Sequence, residues 1–189
     1  MDARRMRIAD AALSVIAGAG IRGLTHRAVD AEAELPAGST SYYCRKRVDL
    51  LQLTLVRLYD LDSADIAAVT QRLVDGPSHA AAIKREIAQL VVQWLTPPDR
   101  ARTIARFELF LAASHEPALQ ALLQEQLAGI VGLTEVLTPA IAEPPRPEQR
   151  LAILMLAEGL MLSNVRQGLQ APALADVERL LSTLEPSST

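Results

Sequence analysis

A chain of 189 residues can hold one ordinary domain, or a small module joined to a larger one, and half of this one is hydrophobic, which is enough for a core without covalent staples. Aromatics make up only 3% and a single cysteine, Cys44, is present, so an intrachain disulfide and a thiol cluster for a metal are both excluded and a reducing compartment is implied. The net charge of −3 hides a polarity: residues 1–47 carry eight Lys/Arg against five Asp/Glu, and the rest carries eleven against seventeen. A basic end on an acidic body suits a protein that meets nucleic acid with one end, although solvated surface gives the same counts.

The N-terminus has arginines at positions 4, 5 and 7, but Asp10 interrupts the apolar stretch that a signal peptide needs. No run of about 18 apolar residues follows anywhere, so no membrane partner is expected. These features predict a cytoplasmic protein.

Every element reads as a helix. Over residues 4–19, Ile8, Ala12, Val15 and Ala19 share one face, and Gly18 and Gly20 end the segment. Thr25 has the chemistry of an N-cap, with Leu24 and Val29 spaced for a hydrophobic staple, and a short second helix covers about 25–33. Leu35-Pro36 breaks the chain, and Pro36 suits the first position of a third helix running through Tyr43. A long helix starts near Val48 and stops at Asp75-Gly76-Pro77-Ser78. Further helices are predicted at about 79–95, 98–114, 117–138, 148–169 and 173–184, separated by proline-containing breaks at 96–99, 116–117, 144–147 and 171–172. Thr96 and Asp99 have capping-box spacing. Ala and Leu dominate the apolar content and no period-2 pattern occurs, so the fold class is all-α with about nine helices.

Three short helices within some 45 residues, with a tight break before the third, outline a helix-turn-helix. Gly38, Ser39, Thr40 and Ser41 are small, which lets backbone approach a duplex and hydroxyls bond phosphates or base edges. Tyr42 and Tyr43 add rings and donors, and Arg45-Lys46-Arg47 follows where cations reach phosphates. A Gly/Ser/Thr run is also ordinary loop composition, and Gly38 costs a helix about 1 kcal/mol relative to Ala.

The residues Ile8, Ala11-Ala12-Leu13, Ile16, Gly20, Leu24-Thr25, Val29, Ala33, Leu35, Gly38, Ser39, Tyr42-Tyr43 and Leu50-Leu51 fall without gaps at the spacing of one known family. The stretch from Ile8 to Leu51, about a quarter of the chain, resembles the DNA-binding domain of TetR/AcrR-family transcriptional regulators. The resemblance implies a helix-turn-helix domain over 1–47 and a ligand-binding and dimerisation domain over 48–189. It implies that Thr25 and Arg27 face phosphates, that Ala37, Gly38, Ser39, Thr40 and Tyr42 enter the major groove, and that Tyr43 and Lys46 grip the backbone. The partners implied are a double-stranded, pseudo-palindromic operator, a small-molecule effector that releases it, and a second copy of the chain. Repression is carried by the resemblance alone. Three positions depart from the family pattern: Glu34 stands where the turn generally has Gly, Asp30 replaces a small apolar residue, and Cys44 replaces Phe.

Other motifs carry less. Gly18-x-Gly20-x-x-Gly23 matches a dinucleotide fingerprint but follows a helix rather than a strand, so it reads as a helix end. His26, His79 and His115 are scattered, and no ligand set, nucleophile elbow or P-loop occurs; no enzyme activity, catalytic residue, metal or cofactor is expected. Cys44 beside three cations is a small buried hydrophobe on one reading and a redox switch on the other.

The body's aromatics, Tyr59, Trp94, Phe107 and Phe110, together with Leu111 and His115, are the candidate effector site, with Arg102, Arg106 and Glu108 as further polar candidates; ordinary core packing explains the same residues. The helix at 148–169 is apolar around more of its circumference than one core needs. Leu151, Met155, Leu162 and Val165, with Leu180 and Leu184 of the last helix, are the candidate dimer interface, a simple internal core being the competing account. Two other functions remain open: a helical ligand-binding protein or enzyme with a vestigial helix-turn-helix, and an effector-independent DNA-binding protein.

Overall fold

The computed structural model describes residues 1–76, 79–137 and 147–183, with the side chains of 80, 127, 129–137, 147, 149 and 150 left out. Among these residues there are nine helices and no strand: α1 (Ala3–Gly23), α2 (His26–Glu32), α3 (Ser39–Tyr43), α4 (Arg47–Asp75), α5 (Ala80–Leu95), α6 (Asp99–Ala113), α7 (Pro117–Leu137), α8 (Pro147–Gln167) and α9 (Leu174–Ser182). The all-α expectation holds. Residues 144–146 of the predicted proline break and Leu184 lie outside the described residues.

The helices group into two compact units, residues 1–63 with 101–130, and residues 64–100 with 131–189. The first unit has one core. Ile8, Leu13 and Ile16 of α1, Leu24, Val29 of α2 and Leu50, Leu51, Leu55 and Leu58 of α4 are buried together with Ala105, Leu109, Ala113 and Leu119. The period of these positions explains the helices: on α4 and α6 the buried residues recur every three or four, and burying a leucine is worth about 1.5–3 kcal/mol.

Capping fixes the start of the unit. Asp2 is the N-cap of α1 and accepts a hydrogen bond from the Arg5 amide at 2.8 Å. Gly20, not Gly18, interrupts α1: its φ of +68° is left-handed, and the chain resumes for one turn to Gly23. The Ile21 amide freed there donates to Glu108 Oε2 at 2.9 Å, and Arg47 donates to the Ile21 carbonyl. Glu108 is therefore engaged in holding the end of α1.

One charged cluster is buried in this unit. Arg106 of α6 donates to both carboxylate oxygens of Asp62 on α4, from Nη2 at 2.7 Å and Nε at 3.2 Å, and Arg102 Nε lies 3.7 Å from the same carboxylate.

In the second unit α5 packs against α9 and α8. Val69, Leu73 and Ile83 form a small cluster, and Leu95, Met161, Val177 and Leu181 are also buried. Asn164 of α8 is a buried polar link: it accepts from Arg100 at 2.6 Å and donates to the Gln170 carbonyl at 2.8 Å. The capping box predicted at Thr96 is replaced by other bonds. The Thr96 hydroxyl donates back to the Val92 carbonyl at 2.8 Å, and Asp99 accepts from Gln93.

Candidate nucleic-acid interface

The head is built around α2. Thr25 is its N-cap as predicted, in extended conformation, and its hydroxyl accepts from the Ala28 amide at 3.1 Å. Leu24 and Val29 are fully buried in the unit's core, as a staple requires. The turn after α2 is closed by backbone bonds from Glu34 to Ala31 and from Leu35 to Asp30. Glu34 takes φ +51°, and it is the only non-glycine residue at positive φ among those described. The glycine missing from this position is thus missing where the backbone needs it.

Pro36 does not open α3. It lies in the turn, where its carbonyl accepts from both the amide and the hydroxyl of Ser39, and Gly38 is the N-cap, at φ +90°. An added Cβ there would meet nothing within 4 Å, so φ and not space asks for glycine. A glycine cap has no side chain for the first free amides of α3. Asp30 provides one from across the turn: Oδ2 accepts from Gly38 and Oδ1 from Thr40, each at 2.7 Å.

Asp30 is only 3% exposed, which accounts for the departure noted in the sequence. Burial pushes its carboxyl pKa up, but Thr40, the Gly38 amide and the nearby His26 charge together pull it below the ordinary carboxylate value. Among these the two amides carry the weight, since their bonds are short and the Thr40 hydroxyl makes no hydrogen bond of ordinary geometry. Sequence spacing offered one usable signal for this role, an acid four residues after His26 on the same helix face.

The outer face of α3 is open. Tyr42 is 80% exposed, Ala37, Gly38 and Ser41 are exposed, and Ser39 is half-buried. Tyr43 packs on the core and meets the Tyr42 ring edge-to-face, with centroids 5.2 Å apart. Thr25, Arg27, Arg45 and Lys46 are exposed around this face. Thr40 is the exception among the predicted contacts: its side chain is fully buried, so it presents no surface to a duplex.

The head's acids are occupied elsewhere. Asp10 is held by Arg57 at 2.6 Å, Glu32 by Ser14 at 2.6 Å, and Glu34 faces Arg7 at 3.7 Å. An open groove of about 320 Å³ between these residues holds none of the predicted DNA contacts. Cys44 is buried, and burial first, then the charge of Asp49, raise its pKa against the opposing pull of Arg5. A raised thiol runs against the redox-switch reading, which relied on the neighbouring cations.

Of the candidate effector residues, Tyr59 and Phe110 belong to the same core cluster of the first unit. Tyr59 is buried in the first unit, where Phe107 and Phe110 stack edge-to-face at 6.3 Å. Leu111 is 69% exposed and His115 is exposed, so neither lines an interior. Trp94 belongs to the second unit, where its indole N–H donates to Asp65 at 2.8 Å. An open groove of about 480 Å³ in that unit is lined by Gln89, Val92, Gln93, Thr96, Pro97, Pro98, Asp99 and Leu174, none of them a predicted contact. Of the candidate dimer residues, Leu151, Met155, Leu162 and Leu180 are exposed and Val165 is half-buried. Among the described residues no group of His, Cys, Asp and Glu could hold a metal ion, and no helix is long and apolar enough to cross a membrane.

An all-helical chain whose second and third helices form a helix-turn-helix with an open, hydroxyl-rich face has the architecture of a helical transcription regulator. Residues 77–187 match the tetracyclin-repressor-like C-terminal domain family. A TetR-family member from Streptomyces coelicolor is 30% identical, with 98% of this chain and 99% of that one covered and a TM-score of 0.75. The multidrug binding protein EbrR, solved with ethidium, is also 30% identical, over 97% and 98% of the two chains, with a TM-score of 0.73. A transcriptional regulator from Rhodococcus shares the fold at 18% identity, with a TM-score of 0.74 over 95% and 92% of the chains. A comparison with curated proteins finds no match. The chain belongs to the TetR family of transcriptional regulators.

Proposed function

We propose that the protein is a ligand-released repressor that binds a pseudo-palindromic operator as a homodimer. The observation that carries this reading is the face of α3: a tyrosine that is 80% exposed and serine hydroxyls beside it, with Arg27, Arg45 and Lys46 around them. An exposed aromatic on a five-residue helix contributes little to the core, whereas ring, hydroxyls and cations together match base edges and phosphates. Residues 1–47 are the reading segment and 48–189 the regulatory body. Thr25, Arg27, Tyr43 and Lys46 take phosphates, and Ala37, Gly38, Ser39 and Tyr42 face the groove; Thr40 supports from within.

The dimer rests on α8 and α9. Leu151, Met155, Leu162 and Leu180 leave apolar surface in water that a second copy would cover, at a gain of about 25 cal/mol per Å². Two reading heads about 34–36 Å apart then fit successive major grooves.

The effector is a medium-sized apolar or aromatic molecule. EbrR, 30% identical, has been solved with ethidium, malachite green and proflavin, and this chain offers Tyr59, Phe107 and Phe110 within one unit as aromatic partners. A molecule that prefers one state of the body shifts the population away from the DNA-competent one. The regulator reading is tested by selecting duplexes from a randomised pool and measuring their binding across a salt series, with Tyr42→Ala alongside. Selective binding with a steep salt slope, weakened by the substitution, supports it; binding without sequence preference refutes it.

A further inference from the structure

α3 is held at both ends by one face of α2. Five residues cannot sustain a helix in water, because the cost of the first turn is not recovered over so short a length. At its start Asp30 accepts from the Gly38 and Thr40 amides. At its end the C-cap residue is Cys44, whose carbonyl accepts from His26 Nε2–H at 2.7 Å. His26 and Asp30 stand four residues apart on α2, so a single helix face supplies the anion for the N-terminus of α3 and the donor for its C-terminus, the polarity that the helix dipole favours. The bond from His26 survives protonation, since Nε2 carries hydrogen in the charged ring and in the tautomer that makes this bond.

We propose that His26 and Asp30 are positioning residues for DNA reading, a two-point clamp through which α2 sets the tilt and register of α3. The proposal rests on the DNA-binding reading above. Asp30 is almost wholly buried and His26 half-buried, so neither needs to touch a duplex for the clamp to matter. What they control is where Ser39, Ser41 and Tyr42 stand relative to the phosphate-binding cations on α2 and after α3. A misplaced α3 keeps the cations, and with them the sequence-independent part of binding, while losing the contacts that read sequence.

The test uses the full chain and a duplex that the unsubstituted protein selects from a randomised pool, beside a scrambled duplex. Asp30→Ala, Asp30→Asn and His26→Ala are compared by amide hydrogen exchange at Gly38, Thr40 and Cys44 in the free protein and by fluorescence anisotropy with both duplexes. Asp30→Ala is expected to speed exchange at Thr40 and to lower affinity for the selected duplex by about tenfold or more, as loss of bonds to a charged acceptor implies. Affinity for the scrambled duplex should hold within about twofold, because the phosphate contacts remain. Asp30→Asn keeps one carbonyl oxygen and should fall between. His26→Ala loses a single bond and folds even if the buried acid proves indispensable, so it carries the test alone if Asp30→Ala does not fold. Unchanged selectivity in both His26→Ala and Asp30→Asn overturns the clamp, as does an equal loss on the two duplexes, which is what general destabilisation produces. If the unsubstituted protein selects no duplex, the DNA reading fails and the positioning role fails with it; the exchange rates then report only a structural cap.

Discussion

Removing the carboxylate of Asp62 should unfold this protein at a markedly lower temperature than removing either arginine that faces it. Asp62 is 4% exposed, is gripped on both oxygens by Arg106 and has Arg102 at 3.7 Å, all inside one unit. Asp62→Ala takes a buried counter-ion away from Arg106 and from Arg102. Breaking a buried pair from one side costs about 3–5 kcal/mol. For a chain of 150–250 residues each kcal/mol is worth about 2–4 °C, so Tm should fall by about 6–20 °C. Arg106→Met leaves Asp62 with Arg102 still beside it and should cost less, below about 3 kcal/mol. The measurement is calorimetric melting at one fixed protein concentration, because the Tm of a chain that self-associates depends on concentration. A fall of less than about 3 °C for Asp62→Ala would mean that the site is hydrated like a surface pair, and the burial argument would be wrong.

Three further outcomes are expected. The Asp30 carboxyl has a pKa below its ordinary value in the folded chain, so its contribution is complete above the usual aspartate range near ~3.9 and is lost as pH falls through the folded value. The Tm gap between the parent and Asp30→Asn should therefore be constant from pH 7 to about 5 and close in more acid solution, and a gap that does not change down to pH 3 contradicts this. Lys46→Ala should leave Tm unchanged, since the residue is exposed, and reduce the slope of log affinity against log salt by about one per protomer. Leu162→Glu places a charge on the exposed apolar stripe of α8 and should halve the sedimenting mass at concentrations where the parent is dimeric; an unchanged mass moves the interface elsewhere.

The helices were legible because their buried positions recur at three and four residues, and Thr25 was legible because an N-cap needs only its own helix. What escaped the sequence depends on contacts made at a distance. Leu111 was grouped with Phe107 by helical spacing, yet the buried face of α6 runs through Ala105, Leu109 and Ala113, with Arg106 among them. Arg106 stood among the polar candidates for the effector site, and nothing within its own helix names Asp62 of α4, the carboxylate that holds it inside. Asn164 was overlooked in the same way, since its partners Arg100 and the Gln170 carbonyl meet it only in the folded unit. The width of the apolar face on α8 was readable, and the structure leaves Leu151, Met155 and Leu162 of that face exposed.

The three departures from the family pattern in the head, weaknesses when taken singly, are better understood together. Glu34 at φ +51° costs about 1–2 kcal/mol relative to glycine. Asp30, four residues earlier, makes two charge-assisted bonds across the same turn, and hydrogen bonds to charged groups are worth about 1.5–3 kcal/mol each. Even after the cost of burying the carboxylate, those bonds are of the size needed to hold a strained turn closed. The exchange of Phe for Cys44 fits the same logic. What α2 takes from that position is its main-chain carbonyl, through His26, and a carbonyl is the same on either residue. On the proposed reading, α2 thus holds α3 through the Gly38 and Thr40 amides and the Cys44 carbonyl, and the exposed side chains of Ser41 and Tyr42 take no part in that grip.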